Sequence, residues 1–274
     1  VGVDTFKVVD PIQSWYALGL GGSNGVWVTR EAIRFSSDPQ WFQVLGGTNA
    51  SEGGNMGTVK SIEFSKDGNH MYVGTWNGEL WRVSNLNTIY SSNPFAEDAA
   101  NVGSGTRTVT STLIYDGNAS AAVTGISVDP YDPGHVVITL GSYGLSSHVL
   151  ESFTADVTAG TASFSSIQGN LPDMPAYDVA IDKEYTNSNS QTIIVGTEFG
   201  VYVTDDGGST WSNSSGPFGN TPVYAVRQQH KEWFEGAAYP GEIYIGTHGR
   251  GIFKTGDLLS IHETPPMFND EAFI

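Results

Sequence analysis

The chain contains no cysteine. Disulfides, zinc–thiolate centres and thiol chemistry are therefore excluded. Basic residues are scarce. Only 12 lysines and arginines stand against 29 aspartates and glutamates, for a net charge of −17. Such a surface repels polyanions and argues against a nucleic-acid partner. No apolar run approaches the roughly eighteen residues of a membrane-spanning helix, so no membrane insertion is expected. No stretch carries the periodicity of an amphipathic helix. The chain starts at Val1 without methionine and has no signal-peptide pattern. A processed or partial chain reads this way, which suggests a piece of a larger polypeptide or complex.

Glycine, by contrast, is abundant at 34 residues, and aromatics reach 12%. That composition suits sheets and tight turns. A glycine-pivoted hairpin recurs along the chain. It runs Gly21–Gly25 before Val26–Thr29, Gly74–Gly78 before Glu79–Trp81, and, more loosely, Gly141–Gly144. It returns as Gly196–Gly200 before Val201–Thr204 and as Gly246–Gly251 before Ile252-Phe253. The leading glycines lie 50 to 67 residues apart. A period near fifty indicates one supersecondary unit repeated around an axis.

Each repeat predicts strands A to D. Strand A reads at Ser61–Phe64, Gly125–Val128, Tyr177–Ile181 and Tyr224–Val226. Strand B reads at Trp15–Leu20, Met71–Val73, Val136–Leu140, Thr192–Val195 and Glu242–Ile245. Strand C follows each pivot, and strand D reads at Trp41–Leu45, Thr112–Tyr115, Ala162–Ile167 and Trp211–Asn213. The pivot glycines are expected at positive φ. The fold is therefore an all-β propeller of four-stranded antiparallel blades with five blades visible, at about 1–50, 51–118, 119–171, 172–220 and 221–258. It is either a small closed ring or part of a larger, seven-bladed one. Residues 259–274 read as an exit segment or linker, Ser91–Gly105 as a long C–D loop, and Ser188–Ser190 and Lys231–Gly241 as insertions. The fifth unit lacks a strand D. Thr5–Val9 is a candidate to supply it, or else strand A of the first unit.

Thr204–Trp211 matches Ser/Thr-x-Asp-x-Gly-x-Thr-Trp at every position. Pro175-Ala-Tyr177 and Pro222-Val-Tyr224 are matching strand-A openings 47 residues apart. Gly246–Phe253 reads GTHGRGIF. With these residues the chain resembles the secreted bacterial Asp-box propellers, the BNR or sortilin-like repeat family, strongly over about 120–258. The resemblance implies a secreted or cell-surface protein. Such propellers include glycoside hydrolases, receptors and non-catalytic modules, so the fold does not choose the function.

The Asp box is read as structural. Asp206 is expected to accept backbone N–H bonds, Gly208 to be left-handed and Trp211 to pack between blades, with Thr204 and Thr210 completing the turn. Its spacing is not that of an EF-hand. Gly21–Gly25 matches G-x-S-x-G, but a strand rather than a helix follows, so Ser23 is no nucleophile. The six histidines show no metal spacing, and neither metal nor cofactor is expected. Asn49, Asn118 and Asn213 open glycosylation triplets that discriminate nothing.

In propellers the B–C and D–A loops line the ligand-binding face. Trp76, Asn77, Tyr143, Glu198, Phe199, His248 and Arg250 fall there, able to grip a protein or stack on a carbohydrate. A sialidase needs a cluster of converging arginines, and of six only Arg250 maps to this face. A glycoside hydrolase needs two carboxylates, for which Glu198 and Asp173 are the candidates. The favoured expectation is a non-catalytic extracellular binding or scaffold module. The alternative is a xyloglucanase- or sialidase-like hydrolase.

Overall fold

The computed structural model describes residues 3–9, 14–22, 25–29, 41–46, 56–88, 109–117, 119–157, 162–182, 192–231, 234 and 237–255, with backbone alone up to residue 18. The expected loop at Ser91–Gly105, the insertion at Ser188–Ser190 and the exit segment 259–274 lie outside the described residues.

Nineteen described strands form five antiparallel sheets, four of four strands and one of three. The first sheet holds β1 (Val3–Val9), β2 (Ser14–Gly21), β3 (Gly25–Thr29) and β4 (Phe42–Gly46). The second holds β5 (Val59–Phe64), β6 (Met71–Thr75), β7 (Glu79–Ser84) and β8 (Thr110–Asp116). The third holds β9 (Val123–Asp129), β10 (Asp132–Leu140), β11 (Val149–Ser152) and β12 (Ser165–Ser166). The fourth holds β13 (Ala176–Ile181), β14 (Ile193–Thr197), β15 (Gly200–Thr204) and β16 (Ser212–Asn213). The fifth holds β17 (Val223–Gln228), β18 (Ile243–Thr247) and β19 (Gly251–Thr255). Within every sheet the strands neighbour each other in chain order, which short hairpin connections enforce.

The structure settles the ambiguity at the N-terminus. β1 pairs with β2 along its whole length, from Val3↔Leu20 to Val9↔Ser14. Thr5–Val9 is thus strand A of the first sheet, and it does not complete the fifth. The strand expected at Ala162–Ile167 shrinks to Ser165–Ser166, because only two residues keep register with Leu150 and Glu151.

The pivot glycines divide their labour, which corrects the expectation of positive φ throughout. Positive φ falls on trailing residues of the later pivots, as at Gly78 (79°), Gly144 (74°) and Gly200 (100°). Three of the leading glycines, Gly21, Gly74 and Gly196, instead admit the next strand A. A Cβ on Gly21 would stand 2.4 Å from Val59 Cγ1, one on Gly74 2.7 Å from Val123 Cγ1, and one on Gly196 2.7 Å from Val223 Cγ1. These are sub-contact distances, so any side chain there would force the strands apart.

The chain divides into two compact units. The first comprises residues 1–123, 131–135 and 153–163. Its core joins Val26, Val28, Phe42 and Leu45 to Val59, Phe64, Met71, Val73 and Val83. Two buried polar side chains bond to backbone there. Tyr72 donates to the Pro133 carbonyl (2.5 Å), and Arg82 Nη1 donates to the carbonyls of Ala155 and Val157 (2.7 Å each). Arg82 Nε is buried without a hydrogen-bond partner among the described residues.

The second unit comprises residues 124–130, 136–152 and 164–274. One core cluster joins Val137, Val149, Ile167 and Leu171 to Val179, Ile181, Val195 and Trp211. Another joins Ala180, Ile194, Val201 and Phe218 to Val226, Ile245 and Phe253. Side-chain bonds tie successive A strands. Thr124 Oγ1 donates to Ala176 O (2.6 Å), and Ser127 Oγ accepts from Ile181 N (2.9 Å). Asp178 Oδ2 accepts from Val226 N (2.7 Å), and Asp182 Oδ1 from Gln228 Nε2 (2.7 Å). Asp178 also pairs with Arg227. Burial pushes its carboxyl up, and the Arg227 guanidinium and two backbone N–H groups oppose that.

Thr204–Trp211 closes the fourth sheet. Asp206 Oδ1 accepts from Thr210 N and from Thr204 Oγ1 (2.8 Å each), and Oδ2 accepts from Thr210 Oγ1 (2.7 Å). Gly208 is left-handed (83°), and its N–H donates to Thr204 Oγ1 (2.9 Å). Trp211 is buried between sheets, with Nε1 donating to Ile167 O (2.9 Å). Asn170 brackets its backbone through Oδ1 and Nδ2. The slight burial of Asp206 would raise its carboxyl, but the bonds from Thr210 and Thr204 outweigh it and hold it below the ordinary 3.8.

Candidate functional site

One device is repeated at three pivots, once in the first unit and twice in the second. Strand B ends in Gly-Thr, and the residue after the threonine enters the B–C turn. These residues are Trp76, Glu198 and His248. Each threonine closes its own turn. Thr75 Oγ1 takes Glu79 N (3.1 Å), while Thr197 and Thr247 donate to the carbonyls of Gly200 (2.9 Å) and Gly251 (2.7 Å). Each following N–H reaches back to the segment before strand A. Trp76 N donates to Thr58 O (2.9 Å), Glu198 N to Pro175 O (3.1 Å) and His248 N to Pro222 O (2.8 Å).

Strand A answers with a β-bulge at the same place in each sheet. The pairing skips one residue between Val59 and Ser61, between Ala176 and Asp178, and between Val223 and Ala225. The extra residues are Lys60, Tyr177 and Tyr224. A bulge re-aims its side chain out of the alternating pattern. Here it sends each of them to the adjoining turn. Lys60 Nζ lies 5.1 Å from the Trp76 ring centroid. Tyr177 donates its O–H to Glu198 Oε2. Tyr224 meets His248 edge to face, with centroids 5.7 Å apart and planes at 79°.

In the second unit two of these pairs join. The Tyr177 and Tyr224 rings lie 4.7 Å apart, tilted by 56°. The result is a continuous ladder running Glu198, Tyr177, Tyr224, His248. Burial chiefly pushes the Tyr177 phenol up, the hydrogen bond to Glu198 and its charge push the same way, and Tyr224 and Tyr143 add smaller electrostatic pushes. Tyr177 therefore stays protonated and remains a donor. Tyr143, Phe199 and Tyr224 are each about half exposed, at 58%, 48% and 51%.

A latch fixes the Tyr143 loop. Asp173 Oδ1 accepts from Gly144 N (2.7 Å) and contacts His148 Nε2 (3.0 Å). His148 is fully buried, and its backbone N–H is held by Gln168 Oε1 (2.6 Å). Burial lowers its pKa from 6.5, only partly offset by Asp173, so the ring stays neutral near pH 7. Its Nδ1 has no hydrogen-bond partner among the described residues.

Of the residues expected on one face, the structure joins Glu198 and His248 through Tyr177 and Tyr224, with Phe199 next to Glu198 in the same turn and Tyr143 exposed in the loop that Asp173 holds. Arg250 is exposed in the turn that carries His248. Trp76 and Asn77 belong to the first unit, where Asn77 Oδ1 is buried without a partner beside Gly57. The two candidate acids are both engaged, Glu198 by Tyr177 and Asp173 by Gly144 and His148. Tyr177 and Tyr224 were missed as site residues, because alternation places a strand residue in or out of the sheet and only the bulge re-aims it. The repeated Pro-x-Tyr at 175–177 and 222–224 was the available signal. Among the described residues no three His, Cys, Asp or Glu side chains gather to hold a metal, and no helix is long and apolar enough to cross a membrane.

No family model and no curated protein matches the chain. Solved structures do. The chain is similar to Chaetomium thermophilum Sqt1 bound to the N-terminus of the ribosomal protein L10, at 15% identity and TM-score 0.54, covering 87% of this chain and 55% of that one. It is similar to a chain of the mitotic checkpoint complex at 12% identity and TM-score 0.51, covering 87% and 58%. It is also similar to the Cps50 (Swd1) beta-propeller domain of Myceliophteria thermophila at 11% identity and TM-score 0.52, covering 97% and 69%. The chain thus spans little more than half the length of the first two. At these identities the likeness is one of fold alone, and that fold is a β-propeller of several four-stranded blades.

Proposed function

We propose that the chain is a non-catalytic propeller module that holds a protein partner on the B–C turns of its fourth and fifth sheets. The observation that carries this reading is the ladder of Tyr177, Tyr224 and His248, with further exposed rings at Phe199, in the turn of Glu198, and at Tyr143. Large, stiff aromatic side chains with polar tips are the groups that dominate protein contact surfaces. Two neighbours of the same fold support it. One was solved holding a protein N-terminus and another as a chain of a multi-protein complex. Glu198 and Asp173 read here as anchors for a tyrosine and a loop. The Thr204–Trp211 turn fits kinship with Asp-box propellers, and we take their secreted, cell-surface setting as part of the same proposal.

Panning a displayed-peptide library on the wild type and on Tyr224→Ala tests the reading. Peptides retained by the wild type and lost by the variant are expected. Retention indifferent to Tyr224 overturns the site. Turnover of plant or host glycans that Glu198→Gln abolishes overturns the non-catalytic assignment and restores the hydrolase alternative.

A further inference from the structure

We propose that the ladder is a socket for a cation, specifically an arginine side chain presented by the protein partner. This inference rests on the binding function proposed above and adds the chemistry of the ligand.

The fold carries its own example of the pairing. In the second sheet the bulge residue is a cation, Lys60, and it sits over the ring of the turn residue, Trp76. At the same two positions the fourth sheet has Tyr177 and Glu198, and the fifth has Tyr224 and His248. The second unit thus presents aromatic faces and a carboxylate in this register, with no cation of its own among them. Arg250, in the turn of His248, forms no ion pair with Glu198 among the described residues. A cationic guest supplies what Lys60 supplies in the second sheet.

Glu198 is prepared for such a guest. An ionised carboxylate has about four acceptor sites, and only Oε2 is committed, to the Tyr177 hydroxyl. Tyr177 stays neutral, so it orients the carboxylate without adding charge of its own. Oε1 accepts no hydrogen bond among the described residues. Beside this carboxylate stands Tyr177, with Tyr224 next on the ladder, and Phe199 follows Glu198 in the same turn. A cation near these rings gains from their quadrupoles as well as from the carboxylate. The planar guanidinium suits this better than an ammonium, since it can stack on a ring while its edge donates to a carboxylate, and it is less strongly hydrated. The net charge of −17 favours approach of a basic segment. An anionic partner would meet Glu198 unpaired.

The probes are a short glycine peptide carrying one arginine, the same peptide with neutral, near-isosteric citrulline, and cellotetraose. Binding is followed by NMR of the tyrosine rings in the full chain. The arginine peptide is expected to shift Tyr177 and Tyr224 saturably, with citrulline about tenfold weaker or worse. Glu198→Gln, which keeps an acceptor for Tyr177, should bring arginine down to the citrulline level. Equal binding of the two peptides, or no effect of Glu198→Gln, overturns the cation and leaves the aromatic contact surface standing. Cellotetraose shifting these rings where the arginine peptide does not overturns both the cation and the protein partner. Silence of these rings to the arginine peptide overturns the socket, while peptides already selected through Tyr224 would keep the binding function. The citrulline comparison uses only wild-type protein, so it does not depend on any variant folding.

Discussion

The fourth and fifth sheets share a plan and differ in what surrounds them. In the fourth, the second strand β14 is buried at every residue. In the fifth, its counterpart β18 buries only Ile243 and Ile245 and exposes Tyr244. The leading glycines show the same contrast. Gly196 lies under Val223 of the next sheet, whereas a Cβ on Gly246 would meet only Ala225 of its own sheet, at 3.2 Å. The fourth sheet ends in β16, after a turn that buries Trp211 against Ile167. The fifth ends at β19 among the described residues, with Ile252 exposed. A strand's burial pattern therefore reports its neighbours on both faces rather than its own propensity. The Gly-Thr turns are alike in both sheets because local chemistry makes them.

Trp211→Ala should break the contrast most severely. It empties a site between two sheets and frees Ile167 O, at a cost of about 3–5 kcal/mol in chemical denaturation. A cost under ~1 kcal/mol would show that the turn is not anchored between sheets. Next comes the glycine pair. Gly196→Val drives a side chain into Val223 and its carbonyl and should cost about 3 kcal/mol or more. Gly246→Val needs only a small shift of Ala225 and should cost below ~1 kcal/mol. Equal losses in melting temperature would remove the distinction drawn between the two positions.

Asp206→Ala should cost about 1–2 kcal/mol through its lost turn bonds. The pH dependence has a definite sign. The folded carboxyl lies below its ordinary 3.8, so its contribution is present above that value. It is lost as pH falls from near 4 through the depressed folded value. The difference between wild type and Asp206→Asn in denaturation midpoint should shrink in that window, and a difference that grows there would reverse the assignment. The smallest effect is expected at an exposed position of the fifth sheet. Ile252→Ser should stay within about 1 kcal/mol, measured by the same denaturation. A larger loss would mean that something covers this side chain.

Much of this was legible in the chain itself. The five pivots, the four predicted A strands and the bonding within Thr204–Trp211 all follow from residues close in sequence. Other features were not. Ala162–Ile167 reads as a strand, yet register with Leu150 and Glu151 keeps only Ser165 and Ser166. Thr5–Val9 suits two places equally, and pairing with β2 chose one. Trp76 and Glu198 occupy the same position of the repeat but serve different units. Asp173 reads as a candidate acid, yet its partners Gly144 and His148 lie 29 and 25 residues away and make it a latch.

The sequence by itself determined the repeat, the strands and the turn chemistry. Glycine spacing, alternation and short polar side chains act over a few residues, and such interactions leave a local signature. Only the tertiary structure decided that Tyr177 and Tyr224 leave their strands to stand beside Glu198 and His248. It likewise decided that Gly21, Gly74 and Gly196 make room for a strand of the neighbouring sheet. A bulge is defined by the partner strand's register, and a close approach by the partner sheet. Neither partner is adjacent in the chain.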